Sequence, residues 1–372
     1  MSILEHLAPM SEVSHRTGPQ DKIVLSSRVR LARNLPRLPF PGHAKRGDRM
    51  KAFEQLMPVV RGLSPLGGGM AEPMEKLSGL DKQLLVERHL VSREHAAKGM
   101  GSGFVLNREE SLCVMVNEED HLRMQSLRPG LQLAAAWAAI DALDTELQGQ
   151  VELAFSPDYG FLTACPTNLG TGIRVSAMLH LPGLVLAEQV GQIIQAVGKL
   201  GLAVRGLYGE GTEALGNLFQ VSNQMTLGES EPEIVEKLSK VILQVIEHEE
   251  NARKSLMAKK PRSVLNHVGR AYGVLSNSHT ISSKETLNLL SLLWLGVDIG
   301  LLPPPARALV NELFLVTQPG HLQCLFSTKE KLGAEERDVL RSDVLRDRLS
   351  GLERPDHRRL GPLAGEGGPL QA

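Results

Sequence analysis

The chain is 372 residues long, 42% hydrophobic and 22% charged, the balance of an ordinary globular protein with room for two domains, or for one large domain and an appendage. Its formal net charge of −1 leaves no global basic field for nucleic acid or a membrane surface, so any anion site must come from a local cluster. Cys113, Cys165 and Cys324 are odd in number and far apart, with no C-x-x-C or H-E-x-x-H spacing, which argues against a metal site or a disulfide framework and for reducing cytosol.

Residues 1–20 read as a short polar lead-in without the basic-then-apolar pattern of a signal peptide. The most apolar run, Thr286–Val297, is bounded by Glu285 and Asp298 and is too short to span a bilayer, so a soluble cytoplasmic protein is expected. Ile23–Leu31 is strand-like. Period two puts Arg28 and Arg30 on one face and Val29 and Leu31 on the other. Arginines are common on solvated strand faces, but two side by side repel unless an anion sits between them. Residues 36–48 read as loop, Arg49–Leu63 as helix and Gly67–Gly69 as a flexible patch. Asp81–Ala97 is an amphipathic helix with Leu84, Leu85, Arg88 and His89 near its middle, and a histidine there is more often packing or surface than ligand.

Ser111–Val116 reads as a strand running into N-E-E-D-H-L-R, Asn117–Arg123. Three consecutive acids suit a solvated helix start or a carboxylate that binds a cation or takes a proton, and composition does not choose between them. Leu131–Leu147 reads as a helix by its Ala and Leu content. Phe161–Pro182 is a turn carrying Pro166, Asn168, Gly170 and Gly172, followed by a buried strand, Ile173–Leu181, with one permanent charge, Arg174. A buried arginine needs an anionic partner, either a structural carboxylate or a ligand. Leu184–Lys199 follows as an amphipathic helix. Arg205–Asn217 then carries four glycines beside Arg205, Glu210 and Glu213, a loop suited to closing over something, and it matches neither the P-loop nor the Rossmann fingerprint. Ser230–Leu256 is the clearest helix, with a Ser230/Glu233 capping box and an apolar face from Ile234 to Ile246. After the basic patch Lys259–Arg262, residues 263–350 lose strand patterning and read as helices, including Thr286–Val297 and Ala334–Leu349. The tail from Arg354, rich in Gly, Pro and charge, is expected to be disordered.

Four segments together resemble the ATP:guanidino phosphotransferases, the phosphagen kinase family: S-S-R-V-R from Ser26, V-N-E-E-D-H-L-R from Val116, C-P-T-N-L-G-T-G-I-R from Cys165 and R-G-x-x-G-E from Arg205. They stand in the family's order across roughly residues 20–255. The resemblance implies an α+β chain: a lead-in over 1–20, then a catalytic domain over 21–257 with an antiparallel sheet flanked by helices, a helical C-terminal domain over 258–350 and a tail over 351–372. It implies ATP and Mg²⁺ as cofactors, with Arg28, Arg30, Arg123, Arg174 and Arg205 gripping the phosphates. Nucleotide contacts are implied for Ser26, Ser27, Val29, His89, Val175, Ser176, Ala177, Met178, Gly206, Leu207, Tyr208 and Gly209. Glu119 and Glu210 match the carboxylates that hold the guanidinium, and Cys165 the reactive cysteine beside it.

The chemistry agrees. A guanidinium is a poor nucleophile with a pKa above about 12, so a carboxylate must hold it in line and accept its proton. Glu119 is the candidate base and Glu210 the clamp. Cys165 fits equally a thiolate near the substrate cation or a small packing residue.

Small-substrate members carry a further helical domain before the S-x-R-V-R segment, and about 25 residues precede Ser26 here, so that domain is expected to be missing. The arrangement resembles the bacterial protein-arginine kinases of the McsB type. In them R-D-x-x-R-A binds phosphoarginine allosterically, and Arg337, Asp338 and Arg341 match while Ser342 departs from Ala. Arg337 and Arg341, one turn apart, could fork a phosphate while Asp338 holds a guanidinium, although such a run is also a common solvated salt-bridge face. Met178 stands where small-substrate kinases often have His. The resemblance further implies protein substrates with exposed arginine, a zinc-binding activator protein, a Clp-type protease and a homodimer, with neither nucleic acid nor membrane as partner. The rival expectations are a kinase of free arginine or another small guanidino compound, and a catalytically silent phosphoarginine-binding regulator.

Overall fold

The computed structural model describes Leu7 and residues 17–206, 214–326, 332–356 and 358; the expected tail from 359 onward and most of the lead-in lie outside these. Ten strands and twelve α-helices occur among the described residues. Eight strands form one antiparallel sheet: β1 (Val24–Arg33), β2 (Met70–Pro73), β3 (Gly103–Leu106), β4 (Leu112–Val116), β5 (Leu122–Pro129), β8 (Ile173–His180), β9 (Leu202–Gly206) and β10 (Leu218–Asn223). Their spatial order is β2-β3-β4-β5-β1-β8-β10-β9. The short pair β6 (Phe155–Ser156) and β7 (Gly160–Phe161) stands apart.

Alternation divides the sheet. Val29, Leu31, Met124, Val175, Ala177 and Val221 turn to one side and are almost wholly buried. They pack on Ile140 and Leu143 of one helix, Leu133–Gln148, and on Leu238, Ile242 and Val245 of another, Glu231–Lys259. Each such side chain contributes roughly 1.5–3 kcal/mol, so this face anchors the domain. Ser230 starts the longer helix as expected, with its Oγ and backbone N donating to Glu233 at 2.7 and 2.8 Å.

Arg33 shows what parity decides. It lies an odd number of residues from Arg28, so its guanidinium goes to the helical side and pairs with Asp144 at 2.7 Å. It also donates to Thr171 O at 2.8 Å and stacks over Phe161, bracing the turn before β8. In that turn Gly172 has φ +68°, and a Cβ there would lie 2.7 Å from both Ala32 O and the Arg33 side chain, so only glycine fits.

Two expected helices are broken. Asp81–Ala97 splits into Gly79–Glu87 and Arg93–Ala96. Ser92 caps the second by accepting from His95 N at 3.0 Å, and His89 between them takes φ +59°. Leu184–Lys199 likewise splits into Pro182–Leu186 and Val190–Lys199, with Glu188 at φ +60°. Amphipathic period survives such a break, so periodicity alone does not reveal it.

Beyond the long helix lie Pro261–Asn277, Ser283–Asp298 (α9), Ala306–Val316 (α10), Pro319–Leu325 (α11) and Ala334–Leu349 (α12), packed around a second core that includes Leu275, Leu290, Leu293, Val310 and Leu345. This bundle is tied to the sheet domain by several contacts, two of which flank the sheet face opposite the core. His180, the last residue of β8, stacks on Trp294 of α9 at 4.8 Å. Glu87 accepts from Gly320 N at 2.7 Å and meets His321 Nδ1 at 2.7 Å, both at the start of α11. Among the described residues no helix is long and apolar enough to cross a membrane.

Candidate active site

The sheet face opposite the apolar core gathers the arginines. Arg30 lies across from Arg174, Arg28 from Ser176, and Ser26 from Met178. Gln220 of β10 pairs with Met178 on one side and Arg205 on the other, while Arg123 pairs with Ala32. Cross-strand partners share a face, so register alone brings all five arginines to one surface. Burial, with the repulsion of Arg123 and Arg174, brings Arg28 down to about 10. Burial, with Arg28, Arg123 and Arg174, likewise lowers Arg30, and burial and Arg205 lower Arg174. Arg28 donates to Gln220 at 3.0 Å, and Arg30 Nε is buried without a hydrogen-bond partner among the described residues. Among the described residues only Arg123 of the five forms an ion pair. Such a surface suits a polyanion with several oxygens.

The acidic run is a tight turn between β4 and β5, not a helix start. Asn117, at φ +59°, anchors it by donating to Arg49 O and Gly101 O. The three acids have separate tasks. Both Glu118 oxygens accept from Arg123 Nη1 at 2.7 Å, and Ser92 Oγ donates to the same carboxylate at 2.6 Å. Burial alone would raise Glu118, but Arg123 and these hydrogen bonds hold it at about 2. Asp120 accepts from Asn34 Nδ2 and from Ala164 N, both at 2.7 Å, tying the turn to the Cys165 loop. The Glu119 carboxylate has no hydrogen bond or ion pair among the described residues and is exposed. Desolvation and the neighbouring Asp120 raise its pKa against the pull of Arg123 and Arg30.

Cys165 opens the turn Pro166–Asn168 and is half-exposed, its Sγ 3.0 Å from Thr167 Oγ1. Arg174 feels both Cys165 and Glu119, so thiol, carboxylate and guanidinium share one corner. Thr226 Oγ1 donates to Leu169 O at 2.6 Å and holds the turn from the far side.

At the other end of the arginine row a cavity of about 370 Å³ opens between the sheet and the helical bundle. Ser26, Arg28, His89, Ser176, Met178 and Gln220 line its sheet side. His89 is an exposed residue at the lining of this hollow, and desolvation by the surrounding protein, with Arg28 and Arg93, lowers its pKa to about 4.

Not every sequence-singled residue reaches the site. Val29, Val175 and Ala177 turn into the core on the opposite face. Ser27, also on that face, is buried, donating to Gly130 O at 2.8 Å and accepting from Gln132 N. Strand parity turns these four side chains away from the arginine surface, so any contact they make with a ligand there is through the backbone. Gly206 ends β9, and Leu207, Tyr208, Gly209 and Glu210 lie outside the described residues. Arg337, Asp338 and Arg341 lie on α12 in the helical bundle. Arg341 is buried there, its Nε donating to Thr317 O at 2.9 Å and Nη1 to Ile281 O at 2.8 Å, with Asp338 alongside. Sequence reasoning missed Glu118, Ser92 and Gln220. The first stood in the acidic run without any mark to separate it from Glu119, and the others join the site only through pairing.

An antiparallel sheet bearing a one-sided arginine row, with a free carboxylate and a thiol at its end, defines a phosphotransferase acting on a cationic acceptor. The profile described as "ATP:guanido phosphotransferase, C-terminal catalytic domain" matches residues 56–252, and that of the "Protein-arginine kinase McsB C-terminal domain" matches 261–360. The chain belongs to the ATP:guanido phosphotransferase family. It is 45% identical to the protein-arginine kinase of Moorella thermoacetica, over 90% of this chain and 96% of that one. With the protein-arginine kinase of Bacillus licheniformis it shares 44% identity over 91% and 93% of the two chains. Among solved structures, a lombricine kinase superposes with a TM-score of 0.56 at 27% identity, covering 67% of this chain and 72% of that one.

Proposed function

We propose that the protein transfers the γ-phosphate of Mg·ATP to arginine side chains of other proteins. The observation that carries this reading is the free Glu119 carboxylate at the end of a one-sided row of arginines, in a chain that shares its length with relatives named protein-arginine kinases. The arginine row would bind the phosphates, with Mg²⁺ arriving on them rather than in a protein cage. The buried, unpartnered Arg30 Nε and the lowered pKa of its neighbour Arg28 fit such a guest, since an anion relieves both. The acceptor guanidinium would lie between Glu119 and the terminal phosphate. Its nitrogen forms the new N–P bond as the bond from the γ-phosphorus to the bridging oxygen breaks, and its proton passes to Glu119. The raised pKa of Glu119 suits that task. Glu210 is the second carboxylate of the clamp in this reading, and Cys165 faces the same acceptor.

Incubation with Mg·ATP and an arginine-rich protein should give acid-labile phosphate on arginine. No label on protein in the presence of a suitable activator would overturn the reading. The likeness to lombricine kinase favours a second reading, in which a free guanidino compound is the acceptor, and label on free arginine at a higher rate than on protein would establish it. As finer parts of the proposal we include a cytoplasmic homodimer, a zinc-binding activator and a Clp-type protease downstream, all resting on family likeness. Arg337, Asp338 and Arg341 would bind phosphoarginine as a regulator. Arg341 could reach the phosphate only by exchanging its carbonyl partners.

A further inference from the structure

The arginine row has a direction. Glu119 stands in the turn leading into β5, where Arg123 pairs with Ala32, two residues beyond Arg30, and this marks the reacting end. From Arg30 back along β1, and from Arg174 forward along β8, each pair is about 7 Å further on, through Arg28 and Ser176 to Ser26 and Met178. A nucleotide whose terminal phosphate lies near Glu119 therefore carries its nucleoside toward Met178. There the sheet face does not open to solvent. His180, the next residue of that face, is covered by Trp294, and the hollow beyond Met178 is closed by Leu287 of α9 and by Phe314 and Leu315 of α10.

We propose that the base of the nucleotide is held against Leu287, Phe314 and Leu315, so that the C-terminal helical bundle forms one wall of the nucleotide site. This rests on the phosphotransferase reading above. The wall is aliphatic and aromatic, the lining on which a flat purine gains most, and the hollow is of a size that small ligands occupy. It is also rigidly placed. Trp294 packs edge-on to Phe314 at 5.3 Å, with Arg307 over its ring at 4.3 Å and Asp298 paired to Arg307. Trp294 Nε1 is buried with no hydrogen-bond partner among the described residues, leaving one polar donor in the seam for a ligand atom or a bridging water. The bundle thus connects physically to ATP: Thr317, directly after α10, is the carbonyl that Arg341 grips.

Photolabelling of the intact wild-type protein with 2-azido-ADP tests the placement without any substitution. Label within residues 283–318 is expected, and label confined to residues 17–206 would overturn the proposal. Equilibrium binding of ADP and of inorganic tripolyphosphate supplies the second arm. Phe314→Ala and Leu315→Gln should weaken ADP about three- to tenfold and leave tripolyphosphate unchanged. Unchanged ADP affinity in both variants, or equal weakening of the two ligands, would refute the base contact. Arg28→Ala should weaken both ligands. A wild-type protein that binds neither would instead sink the kinase reading, which separates the two failures.

Discussion

Glu118 and Arg123 are joined by two contacts of 2.7 Å from one guanidinium nitrogen to both carboxylate oxygens, across the turn that also presents Glu119. Arg123 keeps its other donors for a ligand, while Glu118 sets where they point. Glu118→Ala should lower phosphoryl transfer on the order of 100-fold and stability by about 2–3 kcal/mol, below the full cost of a broken buried pair because Arg123 reaches water. Steady-state kinetics with denaturant melts would show it. Wild-type turnover in this variant would mean that Arg123 needs no such support.

Glu119→Gln separates chemistry from binding. Turnover should fall about 10²- to 10⁴-fold, the range for loss of a general base, while ADP affinity stays within about twofold. Retained turnover would move the proton acceptor elsewhere.

The three thiols should react in a set order. Burial pushes Cys113 up to about 12, and burial with Glu87 and Asp81 raises Cys324. Cys165 is half-exposed with Arg174 nearby. Iodoacetamide followed by peptide mass mapping should mark Cys165 at least about tenfold faster than Cys113. Equal rates would contradict the placement of Cys113 in the sheet.

Acid should destabilise the fold well above the carboxylate range. Burial brings His95 and His121 down to about 4, and burial with Arg253 and Arg307 also lowers His180 well below the usual imidazole range. With folded values below the unfolded one, the unfolded chain binds more protons between about pH 6.5 and 4, so stability falls as pH falls through that window. Each histidine contributes up to about 1.4 kcal/mol per pH unit there. Asp120 and Asp298, raised by burial, act in the opposite sense nearer the carboxylate range. Denaturant midpoints at pH 7 and 5.5 check this, and a higher midpoint at 5.5 would refute it.

Arg341 and Arg337 should part company. Arg341→Ala leaves the Thr317 and Ile281 carbonyls without their donor and should cost about 2–4 kcal/mol in the helical bundle. Arg337 donates to Leu332 O near the surface, so Arg337→Ala should cost less than about 1 kcal/mol. If phosphoarginine binds here, Arg337→Ala should lose that binding with the melt intact; retained binding would remove Arg337 from the regulatory site.

By itself the sequence determined three strands of the sheet, around Ile23–Leu31, Ser111–Val116 and Ile173–Leu181, together with the family and the five arginines that the sheet gathers on one face, because period two, turn residues and the four motifs are local properties of the chain. Arg28 and Arg30 were legible as a pair for that reason. Parity also separates Val29, Val175 and Ala177 from the site, although a motif match includes them as neighbours in the chain. What only the tertiary structure decided is division of labour. Three adjacent acids are equivalent in sequence, and they differ because Arg123 and Ser92 reach Glu118, Asn34 and Ala164 reach Asp120, and no described group reaches Glu119. The bundle wall at Phe314 is long-range as well. It depends on surfaces more than a hundred residues apart meeting at the domain seam, and no local pattern encodes which faces will meet.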